Sequence, residues 1–448
     1  MKKILFICAL LCALIAQAQE NPKVILENQS LKQCVDYALK NSVAIKNAQI
    51  GIEIVEAQKK QYTADGLPQV TGGFGTTYNY RIPKAFLPAR LVDPKAEEGT
   101  FAAVEFSPQF SGQWQVGLQQ ILFDPSYIMA LRAVPVAREV AEKDMTKTKI
   151  TLVANVNKAY YAVLIQEQRR NLLDNNIARV ESLLKDMKAM YQNGLAEKID
   201  VDRTEVTYNN LKVDQQNFQR LLELSKILLK YQMGMESIDE ISLSEKLADV
   251  KVSLPEKTEK FDYAQRIEYS MLISQTKVDQ LTIKNHQFGY LPKLTLGANY
   301  GGNTGGDFAK VANPSNWFGF GSLSLNLQVP IFDGFRKSAL IQKSKLDAQK
   351  TQNTMRDFRR TIDLQINQSS LTLQSNLETL ESRKRNMELA NEVFRLSNVK
   401  YKEGVGSNLE VINSESALRE AETNYYAALY DALLAQVDLK VAKGDILE

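Results

Sequence analysis

The chain has 448 residues, and its 55 lysine and arginine residues nearly balance its 52 aspartate and glutamate residues. This near neutrality argues against a broad nucleic-acid-binding face, which needs a clear excess of basic side chains. The one histidine, His286, is too little for a histidine-rich metal cluster and lies in no serine–histidine–aspartate pattern. We therefore expect neither an enzyme nor a metal- or cofactor-binding protein.

The first residues have the pattern of a secretory signal peptide. A pair of lysines precedes an apolar run over residues 4–16, and the sequence Ala-Gln-Ala that ends at Ala18 suits cleavage. We assign residues 1–18 to this signal, which leaves Cys34 as the one cysteine of the mature chain. No later stretch has about eighteen consecutive apolar residues, so we predict no transmembrane helix. An exported chain of this kind is periplasmic, secreted, or in the outer membrane as a β-barrel.

Residues 19–235 are predicted to form the first of two structural repeats. The repeat begins with a helix over Leu31–Ala64 and continues with a β-hairpin at about 67–123. A long helical hairpin follows at about 125–233. Three prolines and mixed charge in residues 81–105 predict an enlarged loop within the β-hairpin.

The long helices show the clearest periodicity in the chain. Good helix formers dominate the glycine-free stretch between Gly117 and Gly194. Apolar residues spaced by four and three positions form a heptad seam, which predicts coiled-coil packing. At about 1.5 Å per residue, residues 130–192 would form a helix ~95 Å long. The seam comprises Leu173, Ile177, Val180, Leu184, Met187 and Tyr191, and the partner helix contributes Leu211, Phe218, Leu222 and Leu229.

Residues 236–262 are predicted to be a linker, and residues 263–448 repeat the pattern of the first half. The second repeat has a short helix over Tyr263–Phe288, a β-hairpin at about 291–332 and a helical hairpin at about 335–443. Three landmarks recur in the same order, which indicates a duplicated domain. They are Gly66–Val70 with Tyr290–Leu294, Ile121–Pro125 with Pro330–Gly334, and Tyr191–Gly194 with Tyr401–Gly404.

The strands of both β-hairpins alternate between apolar and polar residues. This period gives each strand one apolar face, and about ten residues is the length that a tilted transmembrane strand needs. Soluble hairpins packed on one face are the alternative, and the glycine-rich Gly301–Gly306 is predicted to be a surface turn. Four strands do not close a barrel, so several chains must contribute if the strands span a membrane. The candidate lipid-facing residues are Trp114, Val116, Leu118, Leu323, Leu325, Leu327 and Val329.

Each long helical hairpin turns at a glycine. Gly194 and Gly404 suit the left-handed conformation that ends many helices. Ser407 is suited to cap the returning helix, and Glu410 three residues later completes a capping-box pattern.

These features together resemble the TolC-like outer-membrane efflux proteins. The repeated order of short helix, β-hairpin and long helical hairpin after a signal peptide is similar across the whole mature chain. The motifs that carry the resemblance are Leu31–Asn41, Arg266–Glu268 followed by Tyr290–Leu294, Val329–Gly334, and Tyr401–Gly404 with Ser407–Val411.

The resemblance implies a mixed α and transmembrane β fold. Three chains would share a twelve-stranded β-barrel continuous with a long α-helical barrel, and residues 236–262 would lie in an equatorial band. The homotrimer would be in outer-membrane lipid and extend into the periplasm. It would bind a periplasmic adaptor (membrane fusion) protein and an inner-membrane pump. Such a passive duct of a tripartite efflux system needs no active site, cofactor or nucleic acid.

The resemblance also assigns roles at the helical tips. In the family, two acidic residues three positions apart commonly line the periplasmic entrance, and Glu410 and Asn413 match those two positions. The equivalent residues of the first hairpin are Asp200 and Arg203, so we expect a weak preference for cations. The candidates for the tip turns and for adaptor contact are Tyr191, Gly194, Tyr401, Gly404 and Ser407.

Other functions fit parts of the sequence. The outer-membrane duct of a one-step protein secretion system would have the same shape. A soluble periplasmic coiled-coil scaffold or adaptor would explain the helices, but neither the alternating strands nor the duplication. An enzyme that uses paired carboxylates on a glycan or peptide would need a pocket that the pattern does not indicate.

Overall fold

The computed structural model of the protein describes residues 24–247, 250, 252–253 and 261–447. The predicted signal peptide, residues 1–18, lies outside this range, as does part of the predicted linker. The chain divides into two compact units, each of which draws on both halves of the sequence. We call Met1–Gly51, Glu142–Leu272 and Met355–Glu448 the helical unit, and Ile52–Ala141 with Ile273–Thr354 the sheet unit.

Long helices and short strands alternate along the chain. In order, the elements are β1 (Ile25–Gln29), α1 (Leu31–Asn41), α2 (Val43–Asp65), β2 (Gln69–Tyr78), β3 (Lys84–Pro88), β4 (Phe101–Glu105), β5 (Phe110–Phe123), α3 (Pro125–Gln192), α4 (Lys198–Met233), β6 (Glu240–Leu243), α5 (Ile267–Phe288), β7 (Lys293–Gly306), α6 (Phe308–Ala312), β8 (Phe318–Gln328), α7 (Arg336–Lys402) and α8 (Asn408–Lys443).

The sheet unit is built around one antiparallel sheet of four strands in the order β2-β5-β7-β8. Strands β2 and β5 form the first predicted hairpin, and β7 and β8 form the second. The two hairpins join through β5 and β7. Strands β2 and β8 are therefore the edges, and within the described chain each has a second side without a strand partner.

One face of this sheet is apolar across all four strands. Residues directly opposite each other in an antiparallel pair project from the same face. Val116 lies opposite Tyr300, and Leu296 lies opposite Leu325, so the apolar positions align. The members of this face include Val70, Phe74, Trp114, Val116, Leu118, Leu294, Leu296, Ala298, Tyr300, Leu323, Leu325 and Leu327.

The opposite face is mainly polar and almost without charge, although Ile121, Phe318 and Phe320 also lie on it. It carries amide and hydroxyl side chains such as Gln113, Asn299 and Ser324. Lys293 is the one charged residue in these four strands, and its ammonium lies 2.9 Å from a carboxylate oxygen of Asp124. Such strands suit a membrane on one face and water on the other.

Two details of the predicted strands are wrong. The residues Gly301–Gly306 are the end of β7 and not a surface turn. Their missing side chains leave room for aromatic rings, since a Cβ on Gly302 would lie 2.7 Å from the indole nitrogen of Trp114. Val329 lies beyond β8, which ends at Gln328, because Pro330 lacks the N–H that would continue the ladder.

The predicted loop at residues 81–105 contains regular structure. Strands β3 and β4 pair as a small antiparallel hairpin in which Lys84 lies opposite Glu105. Their side chains form an exposed ion pair at 3.4 Å. The prolines and mixed charge predict an enlarged loop here, and Pro88 ends its strand while Pro83 precedes it, so neither proline interrupts the pairing.

The first predicted helix, Leu31–Ala64, is two helices. Ser42 has an extended backbone (φ −58°, ψ 132°) and separates α1 from α2. The side-chain amide of Asn41 donates to the carbonyl of Tyr37 at 3.1 Å, a local bond of the kind that competes with helix continuation. The second short helix begins at Ile267, after a 3-10 turn at residues 263–265.

The core of the helical unit confirms the predicted heptad seam. Residues Leu173, Ile177 and Val180 of α3 pack with Leu211 of α4. Leu222 and Leu229 continue the seam into a larger core around Tyr160 and Met233. Tyr191 is the exception, since 46% of it is exposed beside the turn. Strand β6, which falls within residues 236–262, pairs in parallel with β1.

Gly234 ends α4 and packs against the break between α1 and α2. It has a φ of +75°, and a Cβ at this position would lie 3.0 Å from the Cα of Ser42. Left-handed backbone costs an L-residue about 1–2 kcal/mol, and forcing a methyl group against backbone adds about 1–3 kcal/mol.

We therefore expect Gly234→Ala to lower the thermal unfolding midpoint of the detergent-solubilised protein. Gly404→Ala is the matched control, because Gly404 has a φ of +76° and open space around its Cβ position. The control should lose only the conformational part, about 1 kcal/mol. Equal losses for the two variants would show that the contact with Ser42 contributes nothing.

Candidate functional site at the helical tips

The two helical hairpins turn with the same backbone geometry. Gly194 and Gly404 have φ values of +74° and +76°, the left-handed conformation that the sequence predicts. The amide of Leu195 donates to the carbonyl of Met190 at 2.8 Å, and Val405 donates to Lys400 at 3.0 Å. The same Schellman-type closure therefore ends the first helix of each hairpin.

The returning helices begin differently. The Ser407 hydroxyl accepts a hydrogen bond from the amide of Glu410 at 3.2 Å, so it caps α8. The N-cap residue of α4 is Glu197, whose side chain makes no cap bond in the described structure. The second hairpin thus has a better-stabilised start than the first.

The two tips of one chain pack together. The Tyr401 hydroxyl lies 3.2 Å from the sulfur atoms of Met187 and Met190. The Asn408 side-chain amide donates to the carbonyl of Asp200 at 3.3 Å. Burial raises the pKa of the Tyr401 phenol, and nearby Asp200 and Asp186 raise it further. The turns of the two hairpins are therefore held as one end of the helical unit.

The acidic candidates at the tips have cationic neighbours. A carboxylate oxygen of Glu410 lies 3.7 Å from the Lys400 ammonium. Asp200 lies 3.9 Å from Arg203, three residues further along α4. Asn413 is exposed and uncharged. Because these ion pairs are near the surface, they reduce the local negative charge without adding much stability.

Two apolar side chains project at the turns. Leu195 and Val405 each follow the turn glycine and are 76% and 79% exposed. The sequence analysis missed this pair, although the repeated order of glycine and then an aliphatic residue would have indicated it. Exposed apolar residues at equivalent positions of a repeat suit a contact with another protein.

The strand candidates lie on the apolar face of the sheet, apart from Val329. Leu323, Leu325 and Leu327 are more than half exposed, and Val116 is 45% exposed. Trp114 and Leu118 are partly covered, and the Trp114 ring packs edge-on against Tyr300.

The sequence analysis also missed a buried polar cluster between α3 and α8. Glu415 and Glu422 of α8 are 2% and 7% exposed, and Asn176 of α3 is 1% exposed. A seven-residue spacing of glutamates among apolar neighbours was the available signal. Their burial results from the packing of α8 against α3, which the sequence alone does not show.

The described residues contain neither a candidate metal-binding group nor a helix that could cross a membrane. Among the residues described, no three histidine, cysteine or acidic side chains are grouped so that they would hold a metal ion. The helices in the described ranges are each too short or too polar to cross a membrane. Cys34 is a buried free cysteine in α1.

The chain is similar to known outer-membrane proteins over most of its length. A family model described as outer membrane efflux protein matches residues 34–234 and 278–445. The outer membrane protein TolC of Vibrio cholerae is 21% identical over 74% of this chain and 76% of its own. The toluene efflux pump outer membrane protein TtgC of Pseudomonas putida is 22% identical over 96% of this chain and 86% of its own.

Solved structures share the fold at low sequence identity. The structure of CusC is 14% identical, covers 95% of both chains and superposes with a TM-score of 0.70. The outer membrane channel MtrE of Neisseria gonorrhoeae, in its open state, is 16% identical and covers 93% of this chain and 89% of its own, also with a TM-score of 0.70.

The unequal helix starts give a direct test of the tip geometry. Ser407→Ala removes the cap bond of α8 and should cost about 1 kcal/mol locally. We expect faster amide hydrogen exchange in the first turn of α8. The matched variant Glu197→Ala loses no cap bond and should leave exchange at the start of α4 unchanged. Equal acceleration at both helix starts would contradict this account.

Proposed function

Because the chain belongs to the outer membrane efflux protein family, we propose that it is one subunit of an export duct that crosses the outer membrane and enters the periplasm. The duct is passive and serves a tripartite efflux system. The family consists of channels and not of enzymes. The chain should therefore act through its contact surfaces and the channel that it lines, and not through catalysis.

The incomplete sheet is the observation that carries this proposal. Within the described residues, the main sheet of one chain has four strands, two edges without strand partners and an apolar face open to the surroundings. In a bilayer every backbone N–H and C=O group must be paired, which requires a closed barrel. Edge β2 of one copy paired with edge β8 of the next would meet this requirement. We propose that three copies close a twelve-stranded barrel, as the family resemblance implies.

Two exposed apolar seams in the helical unit support assembly from several copies. Ile199, Val206 and Val213 of α4 are seven residues apart and 49–59% exposed. Leu389, Val393, Leu396 and Val399 of α7 follow the spacing of a second seam and are 46–65% exposed. Heptad seams of this kind are stable when another helix covers them. We propose that the α4 seam of one copy packs on the α7 seam of its neighbour in a helical barrel.

The helical tips are proposed as the periplasmic entrance and the adaptor-binding end. Leu195 and Val405 supply paired apolar contacts beside Tyr191, Gly194, Tyr401, Gly404 and Ser407, and an adaptor would connect them to an inner-membrane pump. Glu410, Asn413, Asp200 and Arg203 are proposed to line the entrance. Since Lys400 and Arg203 offset the two carboxylates, the cation preference of this entrance should be weak.

The mass of the protein in detergent tests the proposed trimeric assembly. The native protein extracted from fractionated envelopes should occur in the outer membrane as a species of about three chain masses, as closed cyclic assembly requires. A water-soluble monomer that needs no detergent would contradict the proposal and favour a periplasmic scaffold.

Neighbouring positions of β8 test which face of the sheet contacts lipid. Leu325→Arg places a cation on the apolar face and should cost about 2–4 kcal/mol near the bilayer centre. We expect this variant to be depleted from the outer-membrane fraction. The control Asn326→Arg changes the polar face and should assemble normally. Normal assembly of both variants would mean that the apolar face is not in lipid.

A further inference from the structure

A small cavity lies within the helical unit, close to the tips. It has a volume of about 180 Å³ and is bounded by three helices. Arg179, Leu183 and Asp186 of α3, Phe394 and Lys402 of α7, and Glu415 of α8 are among its walls. A cavity of this size and polarity has room for several water molecules. We call it the Glu415 cavity.

Glu422, next to this cavity, is a buried carboxylate with partners. It accepts a hydrogen bond from the Asn176 side chain at 3.3 Å and lies 3.9 Å from the Arg179 guanidinium. Arg179 also donates to Asn176, and its guanidinium lies 5.6 Å from the centre of the Phe394 ring. The guanidinium is thereby held beside Glu422.

Glu415 lacks such partners. It is 2% exposed, and neither carboxylate oxygen accepts a hydrogen bond in the described part of the chain. Burial is the main cause that raises the pKa of this carboxyl, while Arg419 and Arg179 lower it in part. Asp186 of α3 and Lys402 of α7 also line the cavity. A buried ionised carboxylate without hydrogen bonds is costly, whereas the protonated form is tolerated much better.

We propose that Glu415 is a proton-operated latch that holds the tip formed by α7 and α8 against α3. The protonated carboxyl stays in the packed interface beside Leu183 and Phe394. The ionised carboxylate draws water into the Glu415 cavity and weakens the contact between α8 and α3. This inference rests on the proposed function for its biological meaning, because the latch would then control the entrance of the duct.

The position of Glu415 suits control of the tip. It lies five residues after Glu410 on the same helix, a separation of about 7.5 Å along the axis. The cap at Ser407 and the turn at Gly404 are continuous with this part of α8. A loosened α8 would therefore shift the turn and its exposed Val405.

The direction of the pH effect follows from linkage. A carboxyl whose pKa is higher in the packed state than in an open state binds its proton more tightly when packed. The packed state is therefore most stable below the ordinary pKa of glutamate. That stability declines as the pH rises through the raised pKa of Glu415. The tip should thus be tighter in mild acid and looser at higher pH.

Amide hydrogen exchange of the full-length protein in detergent tests the latch without any need for transport. Wild type and Glu415→Gln are compared at the same pH, so that the intrinsic pH dependence of exchange cancels. We expect the start of α8 to exchange roughly fivefold faster in wild type than in the variant at about pH 8, a difference of about 1 kcal/mol. At about pH 3, below the ordinary pKa of glutamate, the two rates should agree.

Two further variants keep the test decisive. Glu415→Met replaces the titrating group with an apolar side chain of similar length. Its exchange should match that of Glu415→Gln. This second variant is needed in case the buried amide of Glu415→Gln disturbs folding. Glu420→Gln removes an exposed charge from the same helix and should keep the wild-type pH dependence. A ratio of wild-type to Glu415→Gln exchange that stays the same at both pH values would overturn the proposal.

Conductance in a planar bilayer separates the latch from the duct. If the protein forms a channel, wild-type opening should increase with pH, and Glu415→Gln should remove that increase. Channel activity with no effect of Glu415→Gln on its pH dependence would overturn the latch alone. The expected exchange pattern in a protein that forms no channel would support the latch and contradict the proposed function.

Discussion

Backbone pairing in the four-stranded sheet is the constraint on which the rest of the structure depends. A sheet with two open edges cannot lie in lipid as a single copy, and in water its open edges and apolar face would favour association. Every strand in it is nearly free of charge, so nothing in the strands themselves opposes transfer into a bilayer. In the proposed assembly, further copies supply the strand partners that β2 and β8 lack within the described chain.

The helices meet an analogous requirement by a different interaction. Side chains such as Leu173, Val180 and Leu211 fill a seam inside one chain, whereas Val206 and Val213 leave a second seam uncovered. Burial of apolar surface contributes roughly 25 cal/mol per Å², so in the proposed assembly the second seam would let neighbouring copies stabilise each other along the helices as well as in the sheet. In that assembly each half of the chain would provide similar helices and strands to the same ring.

Periodicity in the sequence predicted the elements that repeat and missed those that depend on single contacts. The strands and the heptad seam were visible because alternation and four-three spacing are properties of sequence alone. The break at Ser42 and the glycine-rich end of β7 were not, because periodicity shows neither the local bond of the Asn41 side chain nor the distant residues that pack at these positions. Gly234 packs against Ser42, and Trp114 occupies the space that Gly302 leaves. The burial of Glu415 likewise depends on how α8 packs against α3 and α7.

The contrast between repeating elements and single contacts also separates the rigid from the movable parts of the molecule. Each strand of the sheet is held by a continuous ladder of backbone hydrogen bonds, so separating one strand breaks several bonds at once. The helical tips are held by side-chain contacts, among them the Tyr401 hydroxyl with methionine sulfur and the Asn408 amide with a carbonyl oxygen. Such contacts exchange with water at small cost. A buried carboxyl without partners beside them makes one packed arrangement sensitive to a single proton. A duct that must remain sealed in the membrane and yet adjust at its entrance requires this combination.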